Sequence, residues 1–396
     1  MLTVQAAQAL VLRHSRILPS EVVALNADLL DRVLAEDVVS DLDSPPFDKA
    51  MVDGYAVRSG DVGARRVVGE ITAGVQSLKP LAVGEAVRIM TGAPLPPEAD
   101  AVVMQERVQA LDGGHIRIFE AVRPGQNVMP RGQEMRTGET VLQRGRVLGP
   151  QHLGILATVG KSHVAVVRQP RVAILSTGDE LVEPDQHPVG AQIRNSNAVM
   201  LAGQIVRAGG VPLLLGICRD DVDALRKMVR DGLEHDVLLL TGGVSVGKLD
   251  LVPGVLGELG VEPIFHRVAM KPGKPLFFGK TPTCLVFGLP GNPVSALVGF
   301  ELFVRIALQV QRGIADVMPR MELARLETSW RHSSDRPTYH PCRVRQTPGG
   351  QFVQPLPWFG SPDLRTVCEA DGFCVFDAGT RNYEAGELVP VLLPDR

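Results

Sequence analysis

The sequence predicts a multidomain protein in which a central, doubly wound α/β domain is flanked by regions of short strands. Its 396 residues exceed what one hydrophobic core normally supports, so two to four domains are expected. Between residues 171 and 310, continuous apolar runs alternate with helical segments, which is typical of a parallel sheet covered on both faces. Elsewhere glycine and proline interrupt short apolar runs, which indicates strands and tight turns.

The first third of the chain suggests a split domain with an insertion. The first 14 residues read as an amphipathic helix, and a second helix is expected to end in DRVLAEDV (31–38). The segment 44–134 is β-rich and includes the hairpin-like LDGGHIRIF. The stretch LGPQHLGILATVG then suggests a short helix returning to the first segment. We therefore predict one N-terminal domain from residues 1–43 and 135–168, with an inserted β-rich domain at 44–134.

The rest of the chain divides into the α/β domain, predicted at 169–318, and a small β-barrel domain, predicted at 319–396. Ser196 or Asn197 is expected to open a helix that the paired glycines 209–210 end. Asn292 is placed to cap the last long helix, with Pro293 at its first position.

Composition excludes several classes of function. A formal charge of −3 provides no general attraction to nucleic acid or to acidic membranes. The N-terminus has no basic leader, and Glu301 and Arg305 interrupt the most apolar stretch, so no membrane segment is expected. Five scattered cysteines fit core packing in a reducing cytoplasm. The nine histidines lack metal-ligand spacing, so a bound metal should be a hard cation held by carboxylates.

Acidic side chains follow several strands of the predicted sheet, whose carboxyl edge is where ligands bind in such folds. The loops STGDEL, ICRDD, TGGVSVGKLD and GLPGNP all reach this edge. Crowded carboxylates repel one another unless a cation intervenes, so the acids predict a magnesium site. Alternatively Asp220 or Asp221 caps the next helix, and a single loop acid is only a turn residue. The candidate acids are Asp179, Glu180, Asp220, Asp221 and Asp250.

The loop TGGVSVGKLD has most of the spacing of a nucleotide-binding P-loop. A P-loop needs a serine or threonine after its lysine to bind magnesium, whereas Leu249 follows Lys248 here. We therefore reject the nucleoside triphosphatase interpretation. The loop glycines still allow an anion to approach the backbone closely.

Two other loops suit an oxyanion. GLPGNP leads into a helix whose first amides favour phosphate, although a well-formed helix start explains it equally well. KPGKP holds Lys271 and Lys274 between prolines, although ordinary surface lysines are the alternative. In the insertion, Asp53 and Thr91 lie in tight turns that are also compatible with a purely structural role.

Taken in order, seven motifs closely resemble those of the MoeA (gephyrin E-domain) family of molybdopterin molybdenumtransferases. The resemblance implies an elongated homodimer of four-domain subunits that inserts molybdate into the dithiolene of adenylylated molybdopterin, with magnesium present and AMP released. The molybdate could be replaced by tungstate, an oxyanion of nearly equal size and charge. The motifs are PPFDKAMVDGYAV, IMTGAPLPPEADAVV, RGQE, LSTGDELVEP, DVLLLTGGVSVGKLD, VAMKPGKP and GLPGNPVSA.

The resemblance also implies the site residues. In the family's dimer the inserted domain of one subunit faces the α/β domain of the other, so Asp53 and Thr91 would act on the partner's site. The family's commoner RGED is RGQE here, ending at Glu134. The implied catalytic residues are Asp53, Thr91, Glu134, Glu180, Asp220 and Asp250, of which the last three would hold magnesium. The implied substrate-binding residues are Gly242, Gly243, Ser245, Gly247, Lys271, Lys274, Pro290, Gly291, Asn292, Pro293 and Ser361.

Two alternatives remain open at this stage. Related α/β domains share the TGG loop and its acid, so the chain could instead adenylylate molybdopterin. It could also be a non-enzymatic, gephyrin-like scaffold, although such a protein need not keep Glu180, Asp250 and both KPGKP lysines. Contact with a molybdopterin adenylyltransferase, as the supplier of substrate, is a further expectation.

Overall fold

The computed structural model describes residues 1–75, 77–243 and 251–394. In the first 170 residues the chain leaves one small unit, forms a separate sheet and returns. β1 pairs with β12 and β2 with β11, both antiparallel, while β7-β4-β6-β5-β9-β8 form a six-stranded sheet between them. The helices are α1 (Val4–His14) and α2 (Pro150–Thr158). The strands are β1 (Ser20–Ala24), β2 (Val38–Val39), β3 (Lys49–Ala50), β4 (Gly54–Val57), β5 (Arg65–Ile71), β6 (Glu85–Ile89), β7 (Ala101–Met104), β8 (Val108–Leu111), β9 (His115–Ile118), β10 (Val128–Met129), β11 (Thr140–Leu142) and β12 (His163–Val167).

The prediction of a second N-terminal helix that ends in DRVLAEDV was wrong. Only the short 3-10 helix Ala27–Leu29 forms in this part, after the strand β1. Asp31 has a φ of 61°, which interrupts a right-handed helix. The Leu34 N–H donates to the Arg146 carbonyl at 2.9 Å, so a partner distant in the sequence takes the place of a helical bond. Helix α2, by contrast, is confirmed.

The α/β region is built on a six-stranded sheet of order β16-β13-β17-β20-β19-β18. The first four strands are parallel as predicted, but β18 and β19 are antiparallel to their neighbours. Only residues 281–284 separate β19 from β20, too few for the crossover that parallel strands need. The helices are α3 (Ser196–Arg207), α4 (Val222–Gly232), α5 (Val252–Glu258), α6 (Pro293–Gly299) and α7 (Arg305–Gln311). The strands are β13 (Arg171–Thr177), β14 (Leu181–Val182), β15 (Ile193–Arg194), β16 (Val211–Cys218), β17 (Val237–Thr241), β18 (Glu262–Phe265), β19 (Phe277–Lys280) and β20 (Leu285–Leu289).

Helices α6 and α7 are joined through a π-helical turn, Phe300–Val304, into one helix over Pro293–Gln311. Its length and hydropathy would suit a membrane span, but 78% of its most apolar window is buried inside the fold. The Glu301 and Arg305 side chains form an ion pair of 2.6 Å within the core. Within the part of the chain that the structure describes, this is therefore a core helix and the only one that passes such a test.

Residues 321–392 include a closed five-stranded barrel, β21-β24-β23-β25-β27, as predicted, with the pair β22 and β26 beside it. All five cysteines of the chain are free thiols, and four are buried as expected, whereas Cys368 is exposed. The elements are β21 (Met321–Leu326), β22 (Trp330–Ser334), β23 (Thr338–Thr347), β24 (Gly350–Pro355), α8 (Leu364–Cys368), β25 (Gly372–Phe376), β26 (Gly379–Tyr383) and β27 (Leu388–Leu392).

Candidate active site

The carboxyl edge of the parallel strands brings together the loops that follow β13, β16, β17 and β20. The Asp220 N–H donates to the Asp179 carboxylate at 3.1 Å, which joins the first two loops. The Gly242 N–H donates to the Leu289 carbonyl at 3.2 Å, which joins the last two. The sequence prediction that these loops meet at one edge is therefore confirmed for their described residues.

A cavity of about 380 Å³ opens between these loops, and we call it the acid cavity. It contains the predicted acids Glu180 and Asp220 from two different loops, together with the guanidinium-bearing Arg219. Both carboxylates are exposed to solvent. The described lining residues are Thr177, Gly178, Glu180, Arg219, Asp220, Leu225, Gly242, Gly243, Leu251, Val252 and Gly291.

A second cavity of about 340 Å³ adjoins the first, and we call it the amide cavity because asparagine side chains line it. The two cavities share four residues, so they form one continuous groove along the sheet edge. The described lining residues are Thr177, Glu180, Leu181, Ile193, Arg194, Asn195, Ser196, Asn197, Thr241, Gly242, Gly291, Asn292 and Pro293.

Glycine is required at two points of this groove. Gly178 has a φ of +146°, and a Cβ there would lie 2.4 Å from Oε2 of Glu180. Gly242 has a φ of +87°, and its Cβ would lie 2.4 Å from the Thr177 carbonyl oxygen. A larger residue at either position would displace the Glu180 carboxylate or the TGG loop, since both the backbone angle and the space exclude a side chain.

The acids of the edge have distinct local roles. Asp221 caps α4, because its carboxylate accepts from the Ala224 N–H at 2.8 Å. This decides between the two predicted capping residues and leaves the Asp220 side chain to face the acid cavity. Burial, followed by the charges of Asp221 and Asp220, raises the pKa of the Cys218 thiol, so this thiol stays protonated and is a poor nucleophile.

The GLPGNP loop is tied to the barrel through Ser361. Asn292 precedes α6 but makes no side-chain capping bond, contrary to the prediction; its Nδ2 instead donates to Ser361 Oγ at 2.9 Å. The Val294 N–H donates to the Ser361 carbonyl at 3.1 Å. Pro293 occupies the first helical turn as predicted, and Pro290 is buried. Ser361, which the family resemblance implied as a site residue, therefore contacts Asn292, and Asn292 lines the amide cavity.

Comparisons with known proteins cover nearly the whole chain. Three family models match: the MoeA N-terminal region (domain I and II) at residues 2–160, a probable molybdopterin binding domain at 173–310, and the MoeA C-terminal region (domain IV) at 323–393. A molybdopterin molybdenumtransferase of Staphylococcus aureus is 34% identical over 400 aligned positions, covering 99% of this chain and 95% of the relative. One of Bacillus subtilis is 36% identical, covering 94% and 90%. The chain belongs to the MoeA family.

The solved structures agree with this assignment. A molybdopterin biosynthesis MoeA protein of Pyrococcus horikoshii matches with a TM-score of 0.84 and 33% identity, covering 100% of both chains. The multidomain MoeA fold and the place of this chain among the molybdopterin molybdenumtransferases of molybdenum cofactor biosynthesis are thereby established.

The KPGKP lysines do not line the groove. The Lys271 backbone instead bonds to the barrel, since its N–H donates to the Pro337 carbonyl and its carbonyl accepts from the Tyr339 N–H, both at 2.8 Å. Lys274 lines a different cavity of about 620 Å³ beside the N-terminal residues. Another cavity, of about 530 Å³, lies between Glu301 and the barrel. Neither of these larger cavities contains a predicted acid of the sheet edge, so we place the site at the groove.

The predicted residues of the insertion form two separate polar units. Asp53 Oδ1 accepts from both the N–H and the hydroxyl of Thr91 at 2.7 Å, and these bonds lower the pKa of the Asp53 carboxyl. Glu134 accepts from the Ser44 hydroxyl at 2.7 Å and lies 3.8 Å from the Lys49 ammonium. Asp53 and Thr91 are exposed, and neither unit lines the groove.

Three predicted site residues, Ser245, Gly247 and Asp250, lie outside the described residues. Within the described ranges, no group of three or more His, Cys, Asp or Glu side chains is arranged to hold a metal ion. Of the three predicted magnesium ligands, the structure describes Glu180 and Asp220, and their role stays a prediction.

Sequence reasoning missed several residues that line the groove. Thr177 and Asn197 are buried, and Thr177 Oγ1 and Asn197 Oδ1 have no hydrogen-bond partner among the described residues. Arg194 and Arg219 bring positive charge to the amide and acid cavities, respectively. Thr177 and Arg219 lie within the motifs STGDEL and ICRDD, in which the sequence predicted a function only for the acids. The segment NSN (195–197) follows the short strand β15, which the sequence did not reveal, so nothing in the sequence indicated the position of this segment at the sheet edge.

Proposed function

We propose that the chain inserts molybdate into the dithiolene of adenylylated molybdopterin and releases AMP. The supporting observation is that Glu180 and Asp220, from separate loops, line one cavity with Gly242, Gly243 and Gly291. Because glycine has no side chain, these three positions leave room for phosphate. The two carboxylates suit a hard cation. The molybdopterin molybdenumtransferases of Staphylococcus aureus and Bacillus subtilis match this chain almost throughout.

The proposed reaction balances without an added oxidant. Two Mo–S bonds form while one molybdate oxygen leaves as water with the two thiol protons, so molybdenum keeps its oxidation state. Water cleaves the linkage between the two phosphates. One phosphate leaves as part of AMP, and the other stays on the pterin side. The groove is continuous, so its two cavities can hold the pterin and the nucleotide sides of one substrate.

Magnesium fits the donor set of the acid cavity. Mg²⁺ is commonly bound by one or two carboxylates together with substrate phosphates and water, and Glu180 and Asp220 supply two such carboxylates. Asp250, the third predicted ligand, would complete them. When bound, the ion would neutralise charge that develops on the departing phosphate. Arg219 would orient the phosphates from the same cavity, since its guanidinium suits phosphate oxygens.

Molybdate, a dianion, would be received at the other end of the groove. Ser361 reaches it through Asn292, and Lys271 is fixed where its backbone joins the barrel. Lys274 would add charge to the approach of the anion rather than contact within the groove. The positive charge of Lys271 and Lys274 would concentrate molybdate near the dithiolene, which favours bond formation by proximity.

We propose a homodimer in which the insertion of one subunit completes the partner's site. Asp53 and Thr91 are exposed and lie outside the groove of their own chain, so a partner would bring them to it. Helix α3 and the edge strand β16 expose apolar side chains beside the groove, which supports a covered surface there. These side chains are Val199, Val206, Val211, Leu213 and Leu214.

The same proposal includes the domain division and the cellular setting. The pairings of β1 with β12 and β2 with β11 support a split N-terminal domain (1–43 and 135–168) around an insertion (44–134), followed by units at 169–318 and 319–396.

Five free thiols fit a reducing, cytoplasmic location. Glu134, bonded to Ser44 near the base of the insertion, would orient it relative to the split domain. A molybdopterin adenylyltransferase would supply the substrate by contact.

The test is AMP release from purified adenylylated molybdopterin with and without molybdate. Release that requires molybdate, or tungstate, supports the proposal. ATP consumption by the protein on molybdopterin without molybdate would support the adenylyltransferase alternative. If neither reaction occurs while molybdopterin still binds, the scaffold alternative gains support and the proposed reaction is wrong.

A further inference from the structure

The Asn197 side chain bonds two of the loops that form the groove. It lies in the first turn of α3 and is only 7% exposed. Its Nδ2 donates to Thr241 Oγ1 and to the Gly291 carbonyl, both at 2.8 Å. Thr241 ends β17 directly before the TGG glycines, and Gly291 belongs to GLPGNP. One amide thus connects the two glycine loops to each other through α3.

The orientation of this amide follows from its partners. The Gly291 carbonyl can only accept, so the amide nitrogen faces it and Oδ1 points elsewhere. Oδ1 is buried without a hydrogen-bond partner among the described residues. A buried acceptor without a partner opposes folding, which offsets part of what the two donated bonds contribute.

The two loops that Asn197 connects touch each other at the boundary of the cavities. A Cβ built on Gly291 would lie 3.7 Å from the Gly242 Cα, and both glycines line both cavities. The two loops, packed against each other, therefore form one shared wall where the acid cavity meets the amide cavity, and their positions set the shape of the groove there. A phosphate-bearing substrate that spans the groove must pass this point.

We propose that Asn197 is a positioning residue, which holds the two glycine loops against each other in the arrangement that the phosphates of the substrate require. The inference rests on the proposed function for the identity of the substrate. The geometry itself needs only a ligand with linked phosphates at the groove.

Helix α3 contains a matched control. Gln204 is a second amide on the same helix, and its Nε2 donates to the Leu297 carbonyl at 3.3 Å and to Glu301 at 2.6 Å. Its Oε1 is likewise buried without a partner among the described residues, but Gln204 does not line the groove. Replacing either amide by alanine removes two donated bonds from the same helix, and the bond of Gln204 to the Glu301 carboxylate is charge-assisted, so a purely structural effect should appear in Gln204→Ala as well.

The experiment compares the full-length wild type, Asn197→Ala, Asn197→Asp and Gln204→Ala. Calorimetric titration with magnesium pyrophosphate, which carries linked phosphates and no heterocycle, should show affinity reduced roughly 10- to 100-fold in both Asn197 variants. Asn197→Asp keeps the shape but loses both donors, so it should be no better than Asn197→Ala. Gln204→Ala should bind pyrophosphate as the wild type does. In turnover, the Asn197 variants should raise KM for adenylylated molybdopterin more than they lower kcat.

Equal pyrophosphate affinity in the wild type and the Asn197 variants would overturn the inference. An equal loss in Gln204→Ala and Asn197→Ala, with equal decreases in Tm, would also overturn it, because the effect would then be general destabilisation. Wild-type protein that binds no pyrophosphate would do the same. A wild type that binds pyrophosphate but releases no AMP with molybdate would instead contradict the proposed function, and the variant comparison would still decide the role of Asn197.

Discussion

The groove and the inserted domain differ in whether their polar side chains are bonded to other groups of the chain. In the groove, Thr177 Oγ1 and Asn197 Oδ1 have no hydrogen-bond partner within the described ranges, and Glu180 and Asp220 face open space. In the insertion, Asp53 and Thr91 bond to each other. The described groove of one chain therefore offers polar groups that we propose bind a ligand, whereas the exposed Asp53–Thr91 unit of the insertion is already bonded within itself. In the proposed homodimer, the insertion would contribute only to the site of the partner subunit.

The largest expected effect concerns the groove side of this comparison. Glu180→Ala should lower molybdate-dependent AMP release roughly 100- to 1,000-fold, because it removes a carboxylate that would hold magnesium on the phosphates. Glu183→Ala is the control and should retain activity, because this exposed acid lies just beyond β14 and is not among the described lining residues of the groove. Steady-state AMP release measures both. Normal turnover by Glu180→Ala would remove the acid cavity from the mechanism.

The shape of the groove can be tested separately from its charge. Gly242→Ala places a Cβ 2.4 Å from the Thr177 carbonyl at a φ of +87°, so the TGG loop must shift. We expect kcat/KM to fall roughly 10- to 100-fold. Gly254→Ala is the control, because a Cβ on this helical glycine meets nothing within 4 Å. If Gly242→Ala turned over normally, close packing of this loop would not matter for the reaction.

The insertion side is tested by mixing two inactive variants. If Asp53 acts on the partner's groove, mixed dimers of Asp53→Ala and Glu180→Ala contain one intact site out of two. Random exchange makes half the dimers mixed, so about one quarter of wild-type activity should return. Sites contained within single chains would give no recovery, and that result would place Asp53 and Glu180 on the same subunit's site.

The smallest expected effect is a shift in pH dependence. The two hydrogen bonds from Thr91 lower the pKa of Asp53, so the carboxylate persists to lower pH than an ordinary aspartate. Thr91→Val removes the hydroxyl bond, so the pKa of Asp53 should rise toward its ordinary value, and the acid limb of activity should move to higher pH. Thr91→Ser should keep the wild-type profile. Carbon-13 NMR titration of the Asp53 carboxyl is the measurement, and an unchanged pKa in Thr91→Val would contradict the assigned cause.

The sequence predicted this fold well wherever local patterns and tertiary structure agree. Continuous apolar strands predicted the parallel part of the sheet, and α2 formed where its pattern indicated. The second N-terminal helix failed because its residues bond to strands far away in the sequence, such as Leu34 to Arg146. Periodicity within a short window cannot reveal such partners. The antiparallel strands β18 and β19 were missed as such, although the short connection before Cys284 could have indicated them.

The candidate site was predictable only as far as motifs name its residues. Because Glu180 and Asp220 both follow the ends of parallel strands, their position in one cavity could be predicted from the sequence. The role of Asn197 depends on two bonds across 44 and 94 residues of sequence, which no local pattern encodes. The positions of Lys271 and Lys274 depended on packing against the barrel and the N-terminus. For that reason neither lysine is among the described lining residues of the groove, and their substrate-binding role stays a prediction.

The central claim is that Glu180 and Asp220 together hold a divalent cation on the phosphates of the substrate. Mn²⁺ accepts the same oxygen ligands as Mg²⁺ and is visible by electron paramagnetic resonance. In the presence of pyrophosphate, wild-type protein should bind one Mn²⁺ per chain, and the double variant Glu180→Gln/Asp220→Asn should bind it at least about 10-fold more weakly. Undiminished Mn²⁺ binding by the double variant would contradict the account.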